Sequence, residues 1–406
     1  MKSLLHVFSS KRMAVVLSHG FTSGLPLALT GSTLQAWMTQ SGVKLSTIGL
    51  YSLVGLPYTL KFLWAPWMDR ITLPFLGKRR GWLLISQALL ILGIGILGLS
   101  NPSGAPTLLA LIAVLVAFFS ASQDIMIDAY RTEILNSDER GPGAGIYIMG
   151  YRLGMLFSGA LALVLSDHMS WQNVYLLMAL ALLIGILTTL LAPEPKHPHE
   201  AKHKTLNETL VIPFLEFFQR KGALEIILFI ILYKLDVVMT TSLTTPFLLQ
   251  LGFTKTDIGT VNKIFGFFAT ILGSLAGGVW MLRIGMEKAL WIFGLFQGLA
   301  GFSFFLLAKL GNHYPMMVIA ITTENFCSGM GTAAFTAFLM SLCNQKFTGT
   351  QYALLSSFMA VSRVFLTSPT GFMIQSLGWE VYFLICIFIA IPGLLLLTRF
   401  KKWKTI

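Results

Sequence analysis

Nine ionisable side chains interrupt stretches of the sequence that are otherwise apolar: Lys61, Asp124, Asp128, Arg152, Lys234, Asp236, Lys263, Glu324 and Arg363. At membrane depth each would cost on the order of 3 kcal/mol unless paired or hydrated, so each marks a site by default. Asp124 and Asp128 lie four apart and share one helix face. Two carboxylates this close disfavour joint ionisation, and a carboxylate that binds and releases a proton is what proton coupling needs. Asp124, a turn deeper, is the expected coupling group; a static pair with Arg152 or Lys61 is its other reading. Asp128 sits nearer the helix end, where an ion pair with the basic loop around residues 70–80 is the alternative. Arg152, Lys234 and Arg363 fall about eleven to thirteen residues into their stretches, roughly 17–20 Å from one end, and Glu324 about ten, roughly 15 Å. These four are expected near mid-depth. Lys263 lies only a turn or two from an end and reads as a snorkelling lysine.

The elements that must hold these groups are helices in lipid. Hydrophobic residues make up 55% of the 406 positions and charged residues 11%, against about 25% charged in soluble domains. Apolar runs of about twenty residues recur along the chain, each long enough to cross ~30 Å of hydrocarbon. The expected spans are 13–38, 46–68, 82–100, 106–129, 141–166, 171–192, 223–249, 257–281, 289–308, 314–340, 350–375 and 379–399. The first is too long for a signal peptide and has no small-residue cleavage site before polar sequence. The net charge of +12 is topogenic. With the amino terminus inside, the basic residues crowd into the inner loops, and only Lys44, Lys255 and Lys309 fall outside. Both termini are therefore expected in the cytoplasm, and the basic balance does not indicate nucleic-acid binding.

The polar stretch Pro193–Lys221 divides the chain, giving expected bundles at 1–192 and 223–406 with a cytoplasmic linker at 193–222. Two echoes support the division. TQSGVKLSTIG, ending at Gly49, aligns with LQLGFTKTDIG, ending at Gly259, matching Gln40/Gln250, Gly42/Gly252, Ser46/Thr256, Ile48/Ile258 and Gly49/Gly259. Arg152 precedes WQNVYLL at Trp171, as Arg363 precedes WEVYFLI at Trp379. Parallel six-helix repeats are the architecture of the major facilitator superfamily, so the expected fold is all-α, with about twelve membrane helices in two pseudo-repeats. Gly20/Gly24, Gly141/Gly145, Gly150/Gly154 and Gly273/Gly277 are close-packing pairs. Gly329-Met-Gly331-Thr-Ala-Ala334 follows no strand and is not a dinucleotide site. The sequence has no Gly-Lys-Ser/Thr phosphate loop, and Cys327, Cys343 and Cys386 have no metal spacing, so no cofactor or metal is expected. A channel would need rings of like side chains. An enzyme would need a convergent constellation, yet His19 is the lone membrane-depth histidine, while His197, His199 and His203 lie in the linker.

The loop Asp69-Arg70 … Gly77-Lys78-Arg79-Arg80-Gly81 resembles the superfamily's inner-loop signature. Asp69, Arg70, Arg79 and Arg80 are accordingly expected to form a gating latch, with a solvated topogenic loop as the alternative. GFTSGLPLALTGSTLQAWM, KFLWAPWMDR, GKRRGWLL, SASQDIMIDAYRTEIL, GYRLGM, LLAPEP, LYKLD, SLTTPFL and GTVNKIFG resemble the AmpG-type muropeptide permeases over nearly the whole chain. The resemblance implies a monomeric inner-membrane carrier driven by the proton gradient. It would take up N-acetylglucosaminyl-anhydro-N-acetylmuramyl peptides in cell-wall recycling, with a link to β-lactamase induction where that circuit exists. Such a solute fits the residues: Arg152, Lys234 and Arg363 for peptide carboxylates, Glu324 for the amine, Lys61 beside them, and Trp37, Tyr130 or Tyr151 for a sugar face or for packing. The alternative is another anionic solute such as a coenzyme A ester.

Overall fold

The computed structural model describes residues 10–135 except 72 and 75, 140–193, 212–342 except 221, and 355–403 except 356. Among them all regular structure is helical. Among the described residues nine helices are long and apolar enough to cross a membrane: Lys11–Gln40, Arg79–Leu99, Pro106–Arg131, Ile146–Leu165, Trp171–Leu191, Ala223–Gln250, Lys255–Met281, Met286–Leu310 and Thr370–Arg399. The expected spans 46–68 and 314–340 correspond to the shorter apolar segment Leu45–Leu60 and the helix Tyr314–Leu342. Ser357–Leu366 falls within the expected span 350–375. The expected linker lies mostly outside the described residues.

The chain forms two compact units, Met1–Val43 with Val54–Ala201, and Lys44–Leu53 with Lys202–Ile406. In the first, Ser10 caps Lys11–Leu29 by accepting from the Met13 amide. That helix packs along Arg140–Leu156 through its glycines. A Cβ at Gly24 would run into the Tyr151 carbonyl, and one at Gly154 into the Phe21 carbonyl. The two backbones touch because no side chain intervenes, the physics of small-residue spacing in lipid. In the second unit Gly273 meets Phe326 and Gly329 meets Thr270 in the same manner, so the Gly329 motif is packing. Leu45–Leu50 lies against the start of Thr370–Leu396, where Gly49 meets Gly371.

The echoes in the sequence become matching contacts. Gly42 (φ 75°) and Gly252 (φ 87°) both take the left-handed conformation just after Ser32–Gln40 and Thr244–Gln250. In each unit the next residue's amide reaches back five positions, Val43 to Met38 and Phe253 to Leu248, closing the helix end as a glycine cap does. Trp171 Nε1 donates to Gln40 Oε1 at 2.7 Å, and Trp379 Nε1 to Gln250 Oε1 at 2.8 Å. Trp37 stacks on Trp171, as Phe247 packs on Trp379. Each unit thus ties the end of its first helix to the start of its last.

Several spans are broken. Lys234 (φ −107°, ψ 2°) separates Ala223–Leu232 from Leu235–Ser242. Phe157–Leu161, Ile258–Phe265 and Ser362–Leu366 are π-helical, a geometry frequent at functional sites. Thr370–Leu396 is interrupted at Gly378 (φ 78°), between the expected spans 350–375 and 379–399.

Candidate functional site

Three helices of the first unit meet around Asp124. Ser23, on Lys11–Leu29, donates to Asp124 Oδ1 from Pro106–Ile134. The same hydroxyl lies 3.0 Å from Tyr147 OH on Arg140–Leu156. The neighbouring Gln123 Nε2 bonds the Thr22 carbonyl at 3.1 Å, locking the register of the two helices. Asp124 itself is half-buried, with the Ser23 hydroxyl against it. A carboxylate held by neutral donors can exist in either protonation state without breaking an ion pair. The chemistry available here is proton exchange.

Asp128, a turn further along, bonds Arg131 Nη2 at 3.1 Å with half of its side chain exposed. Arg131 covers the Tyr147 ring at 4.3 Å, so the two carboxylates face different partners. Glu133 instead meets one cation of the inner loop: Arg79 holds it through Nε at 3.0 and 3.1 Å and Nη2 at 2.6 Å. Arg80 donates to the Thr189 and Leu190 carbonyls at 2.8 Å. These are among the last carbonyls of Leu183–Leu191, where a helix has acceptors to spare. The side chains of Asp69 and Arg70 lie outside the described residues.

In the second unit Lys234, Asp236 and Glu324 are all buried. Lys234 Nζ donates to Gln297 Oε1 at 2.6 Å, Thr332 Oγ1 at 2.9 Å and the Ser328 carbonyl at 3.0 Å. Its three donors are therefore engaged by neutral acceptors. Both carboxylate oxygens of Glu324 and Oδ1 of Asp236 have no hydrogen-bond partner among the described residues.

The remaining expected residues separate by environment. Arg152 and Arg363 are exposed, and neither side chain makes a hydrogen bond or ion pair among the described residues. Lys61 and Tyr151 are partly exposed. Trp37 is buried between Trp171 and Tyr175. Tyr130 is buried, bonds the Pro193 carbonyl at 2.7 Å and meets the edge of His19. The sequence reading missed Ser23, Tyr147, Arg131, Glu133 and Gln297. Glu133 was within reach, since it follows Arg131 in the stretch SASQDIMIDAYRTEIL. Ser23 and Tyr147 were not, because hydroxyls in apolar helices carry no charge signal.

Comparisons with known proteins agree with this architecture. The Major Facilitator Superfamily model matches residues 16–367. The anhydromuropeptide permease of Escherichia coli K12 is 48% identical over 97% of this chain and 80% of its own. A Rickettsia felis protein described as putative transporter AmpG 4 is 32% identical over 98% of each chain. A crystal structure of a bacterial homologue of the human lysosomal transporter Spinster, inward-facing and unoccupied, superposes with a TM-score of 0.76 at 16% identity over 97% of this chain and 98% of that one; this likeness speaks for the fold alone. Helices of spanning length, two units with matching contacts and identity along almost the whole chain converge: the protein is a multi-pass membrane transporter that belongs to the Major Facilitator Superfamily and, within it, to the family of the anhydromuropeptide permeases.

Proposed function

We propose that this chain carries anhydro-muropeptides across the bacterial inner membrane into the cytoplasm by alternating access, driven by the proton gradient. The observation that carries the substrate class is the 48% identity to the Escherichia coli anhydromuropeptide permease over 97% of the chain. Proton coupling is supported by Asp124, the half-buried carboxylate held by Ser23 and, beyond it, Tyr147. In this reading Asp124 takes a proton from the periplasmic side and releases it inside, while Asp128 stays paired with Arg131. Arg152 and Arg363, both exposed, receive the peptide carboxylates, and Tyr151 offers a ring to a sugar. Lys234, its donors already engaged, and buried Trp37 and Tyr130 support the helices. Arg79 with Glu133 and Arg80 with the end of Leu183–Leu191 act as the inner latch. The bundles 1–192 and 223–406, joined by a cytoplasmic linker, form a working monomer with both termini inside.

The test is reconstitution. Purified protein in liposomes should accumulate labelled anhydro-muropeptide saturably when the outside is made acidic, and should exchange labelled for unlabelled solute without a gradient. Ohmic conductance, or exchange of a coenzyme A ester but not of the muropeptide, would overturn the reading.

A further inference from the structure

We propose that Lys234, Asp236 and Glu324 form a second proton-binding site, so that the carrier moves two protons with each solute. The inference rests on the carrier reading above and adds a ligand, the proton, at a place separate from Asp124. Residual exposure is 6% for Lys234, 3% for Asp236 and 2% for Glu324, so water screens none of them. Glu324, Ser328 and Thr332 follow one another at four-residue spacing on Tyr314–Leu342 and share a face. Two of them hold Lys234, which places the ammonium beside the Glu324 face. Asp236 opens the short helix Leu235–Ser242 immediately after the break at Lys234, where free backbone amides favour an anion.

Charge balance then argues for a proton. One ammonium and two carboxylates, all ionised, leave a net negative charge buried among apolar helices, and an uncompensated buried charge is expensive. Among the described residues, surrounding groups do not supply the balance. Tyr233 and Cys327 lie on the cluster's own segments, and Cys386 lies near it on Thr370–Leu396; a phenol or thiol carries no positive charge. Met286–Leu310 contributes Gln297. Its charges, Glu287, Lys288 and Lys309, and Arg283 of Gly266–Ile284 stand at helix ends. Arg363, on the adjoining π-helical turn, is exposed. The side chain of Lys263 lies outside the described residues. One proton on either Asp236 or Glu324 makes the cluster neutral. The three carboxylate oxygens without hydrogen-bond partners are the places for it.

Equilibrium accumulation at zero membrane potential counts protons directly, because a symporter balances at one factor of about ten in solute per proton per pH unit. With the voltage clamped and the outside about one pH unit more acidic, the wild-type protein should reach a ratio of about a hundred. Glu324→Gln or Asp236→Asn should bring it to about ten. This ratio is independent of turnover rate and of the amount of active protein. In parallel, infrared spectra of the detergent-purified protein without solute should show a protonated-carboxyl band that Glu324→Gln or Asp236→Asn removes. A wild-type ratio of about ten overturns the second site while leaving the carrier reading intact, as do ratios near a hundred in both variants. No muropeptide accumulation at all sinks the carrier reading; the infrared band, which needs only folded protein, then decides the cluster by itself.

Discussion

Replacing Asp124 by Asn should remove one coupled proton without unfolding the carrier. The substitution conserves volume, and the amide oxygen still accepts from Ser23, whose bond to Tyr147 is untouched. The structural cost is that of weakening one charge-assisted hydrogen bond at a half-buried position, about 1 kcal/mol. The functional cost is a whole proton. One pH unit is worth about 1.4 kcal/mol per proton, so at zero voltage the equilibrium ratio should fall by a factor of about ten for each pH unit imposed. Solute exchange without a gradient should persist, since it needs no net proton movement. Asp128→Asn provides the contrast. Its pair with Arg131 is half-exposed and worth at most about 1 kcal/mol, and the accumulation ratio should not move. Liposomes with an imposed pH difference and labelled muropeptide measure both quantities in one preparation. An Asp124→Asn protein that accumulates to the wild-type ratio would refute the assignment of coupling to this carboxylate.

Other expectations are as direct. Arg152→Gln or Arg363→Gln should weaken binding of anionic peptide fragments at least about tenfold, as loss of a charged hydrogen bond does, while the uncharged disaccharide is little affected; equal loss for both ligands would mean that the arginines serve structure. Arg79 and Glu133 are mostly buried and joined bidentately, so a double-mutant cycle with Arg79→Gln and Glu133→Gln should return a coupling of about 1–3 kcal/mol in thermal stability; strictly additive effects would show that the two do not act as a pair. Gly24→Ala sets a methyl group against the Tyr151 carbonyl and should lower stability by about 1–3 kcal/mol through overpacking, a loss read as a lower melting temperature in detergent. Trp171→Phe and Trp379→Phe each remove one indole hydrogen bond to a repeated glutamine and should cost about 1 kcal/mol apiece. A large inequality between the two would show that the contacts differ in weight.

Much of the fold was legible because lipid leaves few choices. A chain 55% hydrophobic has to satisfy its backbone within helices or closed barrels, and runs of about twenty apolar residues select helices. The repeat was legible for a more specific reason. Gln40 and Gln250, Gly42 and Gly252, and Trp171 and Trp379 recur because each copy makes one side-chain hydrogen bond and one left-handed helix end. The interruptions were less visible. Lys234 is a break in the second unit's first span, and its sequence neighbours, Tyr233 and Leu235, give no warning, since both suit a helix. The π-helical turns around Phe157, Ile258 and Ser362 are equally silent, because one extra residue per turn leaves an all-apolar pattern looking the same.

The site was half legible, and charge explains the division. Every ionisable residue at membrane depth announces itself, but the announcement does not say whether the group is used or satisfied. Arg152 and Lys234 look alike in sequence, a lone cation in an apolar run. In the structure one is exposed and the other gives its donors to Gln297, Thr332 and the Ser328 carbonyl. The difference lies in neutral partners on other helices, which no spacing rule connects to them. The same holds for Asp124: the proposal that it exchanges a proton draws on Ser23, a residue from 101 positions away. A carrier has to keep its coupling groups responsive, and a charge held by hydroxyls responds where one locked to a guanidinium, as Glu133 is to Arg79, does not. The distinction between coupling acid and structural acid is therefore written in the neutral residues around each carboxylate rather than in the carboxylates themselves.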